Sequence, residues 1–234
     1  MKRRNLLLSG ATLGMLAMSA HSASAVVLVQ DGQPKATIVV EKDATPQLQK
    51  AAQTLQEYLQ KSSGAKLPIA ATPGNGASLY LGQSDAAKKA GIDAQKLDQD
   101  GFVLQGAGDA EYFIVGGSDW GTEFGVYDFL ERYLGIRWLM PTDLGTDVPP
   151  HKTIDVPATK VLQEPVYLSR QLSPLNITAD NPLGHWARFN RARGRIAFHH
   201  NLLNLFPVSK FGKTHPEFYP TLDGKLRVPA EDDH

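Results

Sequence analysis

The stretch 121–141, GTEFGVYDFLERYLGIRWLMP, restricts the possible folds of this chain more than any other part of the sequence. As a helix from about Thr122 to Leu134 that ends at Gly135, it is apolar over more than half of its circumference. Such a helix has to be buried, so its aromatic side chains are expected to fill the layer between the helix and a sheet. Arg137 and Trp138 lie on the strand predicted to follow, and we expect them at an interface with a second domain.

A second amphipathic helix is predicted over residues 46–62. Thr45 can cap it, Pro46 suits its first turn, and Gly64 ends it. The strands expected around these helices are 36–41, 78–82, 101–106 and 112–117. The predicted fold class is therefore α/β (an α+β sandwich), in which residues 26–160 form a mixed sheet with two long helices.

Residues 1–25 have the pattern of an export signal. A basic start at residues 2–4 precedes an apolar run over 6–20, which is shorter than the ~20 residues of a membrane span. Ala23-Ser24-Ala25 provides the small residues that signal peptidase accepts, so cleavage is expected after Ala25. The protein is thus predicted to be periplasmic or extracellular, with no membrane span after cleavage. Arg3-Arg4 leaves both the general secretory and the twin-arginine route open.

Composition excludes several kinds of chemistry. The chain has no cysteine, so thiol catalysis and disulfides are ruled out. Lys plus Arg and Asp plus Glu number 24 each, a balance that argues against nucleic acid as a partner. The glycine loop GGSDWGTEFG has neither phosphate-loop nor dinucleotide spacing, and no cofactor is predicted. Gly116, Gly117 and Gly121 are interpreted as allowing a tight turn and close contact between helix and sheet.

A longer motif carries a family resemblance. GGSDWGTEFGVYDFLERYLGIRWLMP resembles the end of the small N-terminal α/β domain of bacterial α-glucuronidases, and the second domain of β-N-acetylhexosaminidases has a looser version of it. AAQTLQEYLQKSSGAKLPI, DGFVLQ and YFIVGGS are similar to other parts of that domain, so the resemblance covers about 36–157. It implies an exported, glycoside hydrolase-like protein whose partner is a carbohydrate, either a glycan or an oligosaccharide.

Residues 161–234 resemble the start of an uncharacterised domain that looks like a glycosidase-type (β/α)8 barrel. The expected barrel strands are 166–173 and 196–205. Because a barrel takes ~250 residues, only an incomplete barrel start is expected, without its catalytic carboxylates and inactive alone. No catalytic residue is assigned. A non-catalytic carbohydrate-binding or scaffolding protein stays open as the alternative.

In a barrel, the carboxyl ends of the first two strands would line the pocket. The candidate substrate-binding residues are there or in the histidine-rich segment after them: Arg170, His200, Asn201, Asn204, His215 and Glu217. No metal is predicted, because these residues lack zinc-ligand spacing. Hydrogen-bonded histidines and direct substrate contacts both remain possible for this set.

The segment RFNRARGR holds four arginines, Arg188, Arg191, Arg193 and Arg195. The default interpretation is a solvated helix face. The alternative is that one of them binds a sugar carboxylate as a bidentate fork.

Overall fold

The computed structural model describes residues 24–171, 180–196 and 202–227, so most of the predicted export signal lies outside the described residues. The strands are β1 (Ala25–Gln30), β2 (Gln33–Pro34), β3 (Ala36–Val39), β4 (Ile69–Ala70), β5 (Ala77–Leu81), β6 (Phe102–Ala107), β7 (Glu111–Gly116), β8 (Arg137–Trp138), β9 (Thr146–Asp147), β10 (Ile154–Pro157), β11 (Lys160–Gln163), β12 (Thr221–Leu222) and β13 (Lys225–Leu226). The helices are α1 (Pro46–Ser63), α2 (Asp85–Lys89), α3 (Asp119–Leu134), α4 (Pro182–Phe189), α5 (Leu202–Leu205) and α6 (Val208–Phe211).

The main sheet is mixed, as predicted. Its six strands follow the order β11-β6-β7-β5-β3-β4. Strands β4, β3, β5 and β7 run parallel, whereas β6 and β11 are antiparallel to their neighbours. A second, three-stranded sheet, β10-β1-β2, carries the start of the described chain.

Helices α1 and α3 pack against each other on the same face of the main sheet. Alternate strand residues face them, for example Ile38, Leu79 and Ile114, while Val39 and Phe113 face the other side. That other side is covered by α2 and the 3₁₀ turn after it. The predicted arrangement of two long helices on a mixed sheet is therefore confirmed, and the chain is a mixed α/β protein in this part.

The helix ends follow the predicted signals. The Leu48 backbone N–H donates to the Thr45 hydroxyl at 3.2 Å, and Gly64 ends α1 at φ 78°. Gly135 ends α3 in the same left-handed conformation, at φ 70°. The left-handed backbone conformation costs glycine little free energy, because glycine has no Cβ.

Two predicted boundaries were wrong, and one strand was not predicted. Helix α3 begins at Asp119 rather than Thr122, and its glycines were interpreted as part of the turn although Gly121 is helical. The strand predicted over IRWLMP is only Arg137–Trp138, because the chain turns at once into a 3₁₀ turn. Strand β1, whose first fully buried residue is Val26, was not predicted.

The described residues do not show a barrel. Between residues 166 and 171 the backbone forms bends and a single bridge, Arg170 to Arg193, and residues 172–179 lie outside the described part. Leu202–Leu205 is helical rather than the end of a strand. The reason is general: a short, mostly apolar segment such as Leu-Leu-Asn-Leu is compatible with either helix or strand, and its pattern alone cannot decide.

The contact between the β7–α3 turn and the first turn of α3 should tolerate no side chain at Gly116. A Cβ there would overlap the backbone N of Thr122 and the carbonyl carbon of Gly121. We expect Gly116→Ala to lower the free energy of unfolding by at least about 3 kcal/mol, the upper range of overpacking costs. Urea denaturation checks this.

Gly108→Ala is the matched control. Gly108 has φ 69° and nothing within 4 Å of its ideal Cβ, so it should lose only about 1 kcal/mol. Equal losses for the two variants would contradict the overlap argument.

Candidate functional site

The arginine-rich segment lies against the acidic end of the α/β domain. Asp100 follows the 3₁₀ turn just before β6, and its side chain is fully buried. It accepts hydrogen bonds from Arg170 at 2.7 Å and from Arg193. Asp98, two residues earlier, accepts from Arg195 at 2.8 Å. We call these pairs, with those of Glu123 and Glu131 described next, the arginine dock.

Glu123 is the second buried carboxylate of the dock. It lies on α3, is 2% exposed, and receives both Nη2 and Nε of Arg188, at 2.6 and 2.9 Å. Gln47 of α1 donates to its Oε2 at 2.7 Å, and the Tyr127 hydroxyl donates to Oε1, the oxygen that Arg188 Nε also contacts. Burial, together with the neighbouring Glu123 charge, raises the pKa of Tyr127 well above its usual value, so this hydroxyl remains a donor.

The remaining pairs extend the dock along α3. Arg191 donates to Glu131 at 2.6 Å. The guanidinium groups of Arg188 and Arg193 lie over the Trp120 ring, at 5.1 and 4.6 Å from its centroid. Cation–π contacts of this kind strengthen as the cation loses water.

The default interpretation of RFNRARGR as a solvated helix face was therefore wrong. The side chains of Arg188, Arg191, Arg193 and Arg195 are between 17% and 32% exposed and bind protein carboxylates. Their partners are 60 to 97 residues away along the chain, beyond the reach of any local pattern. Glu123 did leave a signal, since a carboxylate on a buried helix face needs a cationic partner.

Arg170, a predicted substrate-binding residue, belongs to the dock and also lines a cavity of about 550 Å³. The same cavity is lined by Ser169, Gln171 and Asn190, and by Tyr167, whose ring is 73% exposed. Its volume lies within the usual range for small-molecule sites. Hydroxyl and amide groups suit sugar hydroxyls because each can donate or accept in a fixed direction.

The described histidine-rich candidates, Asn204, His215 and Glu217, do not line this cavity. His215 Nδ1 and Glu217 Oε1 are 2.9 Å apart at the surface, and the His215 ring stacks on Phe218 with ring centroids 4.8 Å apart. The hydrogen bond from His215 lowers the pKa of Glu217, the opposite of what a glycosidase general acid needs. Asn204 lies on α5, and His200 and Asn201 lie outside the described residues.

The two predicted interface residues differ in burial. Trp138 is buried, donates from Nε1 to the Tyr58 hydroxyl at 2.8 Å and stacks on Phe189 of α4 with centroids 4.8 Å apart. Arg137 is half exposed, and its guanidinium donates to the carbonyl of Glu131 at 2.9 Å.

The described residues contain neither a cluster suited to a metal ion nor a helix suited to a membrane. No group of three or more His, Cys, Asp or Glu side chains in this part of the chain is placed to hold a metal ion. Across the same residues, no helix has the length and apolarity needed to span a membrane.

Removing the Asp100 carboxylate should strongly destabilise the protein. Asp100→Ala would leave Arg170 and Arg193, both less than a quarter exposed, without their shared acceptor. Breaking a buried ion pair typically costs about 3–5 kcal/mol, which urea denaturation would measure. Limited trypsin digestion should then cut after Arg193 and Arg195, sites that the wild-type dock protects.

The control for this variant is Asp85→Ala. Asp85 pairs with Lys88, but its side chain is 88% exposed, so its loss should change stability by less than about 1 kcal/mol. Unchanged trypsin resistance in Asp100→Ala would contradict the role given to the dock.

The contribution of Asp98 to stability should depend on pH. Its pKa is lowered, first by the Asp100 backbone N–H that donates to it and then by Arg195. A carboxyl whose folded pKa is depressed adds stability above its unfolded pKa of about 3.9, and that stability is lost as pH falls through the lower folded value. The wild type should therefore have a higher urea midpoint than Asp98→Asn at pH 7. The difference in the free energy of unfolding should be less than about 1 kcal/mol, because Asp98 is a third exposed.

The advantage of the wild type over Asp98→Asn should shrink as the pH falls below about 3.9 and vanish at an acid pH below the lowered folded pKa of Asp98. Asp109→Asn, on the exposed β6–β7 turn, should match the wild type at both pH values. A difference at Asp98 that persisted into acid would show that its charge is not the cause.

The comparisons with known proteins concern the α/β domain. Residues 24–129 match the family model described as the glycosyl hydrolase family 67 N-terminus, a match that ends within α3. A comparison with curated proteins found no significant match.

Among solved structures, the chain is similar to a family 115 4-O-methyl-α-glucuronidase with specificity for decorated arabinogalactans. The identity is 26% and the TM-score 0.52, over 62% of this chain and 19% of that one. It also matches a Streptomyces plicatus β-hexosaminidase (18% identity, TM-score 0.42, 63% and 25% of the two chains) and a Vibrio harveyi family 20 exo-β-N-acetylglucosaminidase (15%, 0.40, 64% and 18%). The chain thus spans a quarter or less of each of these structures.

The predicted resemblance to the α-glucuronidase N-terminal domain is confirmed, because residues 24–129 match the glycosyl hydrolase family 67 N-terminus, a kind of domain associated with glycoside hydrolases.

Proposed function

We propose that this protein is an exported, carbohydrate-active protein of the glycoside hydrolase type that acts on glycans bearing uronic acids. The observation that carries the proposal is the family match over residues 24–129. The similarity to a 4-O-methyl-α-glucuronidase, at 26% identity, favours uronic acids over amino sugars as the group recognised.

Export is supported by the way the chain enters the fold. The predicted cleavage site after Ala25 immediately precedes Val26, the first fully buried residue of β1. Cleavage there would leave the apolar core complete, because Ser24 is exposed and Ala25 is only partly buried.

The reaction itself is proposed for the complete gene product. Glycoside hydrolysis normally uses two carboxyl groups, one of them a general acid with a raised pKa. The buried carboxylates of Asp100 and Glu123 are occupied by arginines, and the pKa of Glu217 is lowered. We therefore assign no catalytic pair within the described residues, and we expect residues 1–234 alone to be inactive.

The test is a turnover assay on the complete gene product. We expect it to release 4-O-methylglucuronic acid from a decorated arabinogalactan and to leave aryl N-acetyl-β-hexosaminides intact. Residues 1–234, tested in parallel, should release nothing, because no catalytic pair is assigned within the described residues.

Three outcomes separate the alternatives. Glycan binding without turnover by the complete product would support the non-catalytic carbohydrate-binding protein instead. Hexosaminidase activity would overturn the choice of uronic acids. Turnover by residues 1–234 that Glu217→Gln abolishes would make Glu217 catalytic and contradict the assignment made here.

A further inference from the structure

A groove runs between α1 and α4, separate from the cavity beside Arg170. It consists of two adjoining cavities of about 260 and 460 Å³ that share Tyr58, Asp143, His185 and Phe189 as lining residues. We call it the α1–α4 groove. Together the two cavities lie within the size range of sites for small organic ligands.

One half of the groove has aromatic walls that are already fixed in place. Phe189 stacks on Trp138, and Tyr58 meets both rings edge-on, with centroids 5.3 Å from Trp138 and 6.0 Å from Phe189. Indole N–H groups tie these walls down: Trp186 donates to the carbonyl of Trp138 at 2.9 Å, and Trp138 donates to Tyr58. A wall that needs no ordering on binding loses less affinity to entropy.

The other half of the groove contains both paired and unpaired charged side chains. Lys61 pairs with Glu57 at 2.7 Å, and His185 pairs with Asp180 at 2.7 Å. By contrast, within the described part of the chain the Asp143 carboxylate and the Lys50 ammonium make no hydrogen bond or ion pair. An acceptor and a donor are thus left available on either side of the groove.

The backbone that presents Asp143 is strained. Thr142, which also lines the groove, has φ 83° and ψ 168°, a conformation that a β-branched residue adopts only when its surroundings impose it. It is held there by Gly145 N–H, which donates to the Thr142 carbonyl at 3.1 Å, and by the Thr146 hydroxyl. Strain of this kind is concentrated at sites that clamp a ligand.

The charge of the groove decides which sugars it suits. The larger cavity is lined by four carboxylates, Glu57, Glu123, Asp143 and Asp180, against three Lys and Arg side chains. A uronate would find no net positive field there. Neutral pyranoses fit better, because their C–H faces stack on aromatic rings while their hydroxyls donate to a carboxylate and accept from an ammonium.

We propose that the α1–α4 groove binds a neutral stretch of an oligosaccharide, with sugar rings against Phe189 and Trp186 and hydroxyls on Asp143 and Lys50. The inference rests on the proposed carbohydrate function. It assigns to the α1–α4 surface the capture of the uncharged part of a decorated glycan, away from any reacting bond.

The test is calorimetric titration of the purified chain with a defined neutral galacto-oligosaccharide and with the same oligosaccharide carrying one glucuronic acid. We expect saturable binding of the neutral probe, no gain from the acid, and at least a tenfold weaker affinity for Asp143→Ala, since a hydrogen bond to a charged group is lost. Lys50→Ala should weaken binding about threefold or more.

Asp109→Ala and Lys89→Ala are the matched controls, because both residues are exposed and lie away from the groove. They should bind as the wild type does, and all four variants should keep its thermal midpoint, since the groove residues changed make no contact that the fold needs. Absence of binding, or binding that Asp143→Ala leaves unchanged, would overturn the proposal.

The result is separable from the fate of the proposed activity. Hydrolysis by the complete gene product without binding in this groove would overturn the groove proposal alone. Binding that depends on Asp143 in a protein that hydrolyses no glycan would support the groove and remove the enzymatic function.

Discussion

Close contact between the end of β7 and the first turn of α3 determines where the rest of the structure can lie. Gly116 and Gly121 lack side chains at the point where the strand, the turn and the helix meet. The Thr122 hydroxyl bridges the junction by accepting from Gly116 N–H at 3.0 Å and donating to the Ser118 carbonyl at 3.3 Å. A helix displaced from the strand by the width of one methyl group would move Trp120, Glu123 and Glu131, which contact the arginines of the dock.

With α3 held in this position, the arginine dock attaches the segment after β11 to the α/β domain at specific residues. Burying a carboxylate is unfavourable unless cations and hydrogen bonds compensate its lost hydration. At Asp100 and Glu123 that compensation comes from Arg170, Arg188 and Arg193. Apolar packing alone would tolerate sliding of the segment, whereas forked guanidinium contacts fix it in one register.

The parts of the fold that could be predicted are those encoded locally. The 3.6-residue repeat of α1, its Thr45 cap and its Gly64 stop all lie within one window of sequence, and the structure has each of them. The strands around β5, β6 and β7 were placed within one residue at each end. The start of α3 was missed because a glycine inside the first turn of a helix looks the same in a sequence as a glycine in the turn before it.

The candidate site was less predictable for a physical reason. The arginines were visible in the sequence, but their partners Asp98, Asp100 and Glu123 lie 65 to 97 residues away. A single sequence does not show which arginine pairs with which of these distant carboxylates. The roles predicted for Trp138 at a domain interface and for Arg170 in substrate binding stay predictions. The contacts of Trp138 with Trp186 and Phe189 depend on where α4 lies, and this follows from the dock.

Helix α4 connects the dock with the α1–α4 groove. Arg188 faces Glu123, and one turn of the same helix supplies His185 and Phe189 to the groove. The groove therefore exists only while α4 is docked, so a ligand bound there must favour the docked state. At a free concentration a hundred times its Kd, a ligand that binds only this state stabilises it by about 2.7 kcal/mol. This is comparable to the free energy expected from one buried ion pair of the dock. The proposed glycan binding and the attachment of the arginine-rich segment would thus be coupled through a single short helix, and each should strengthen the other.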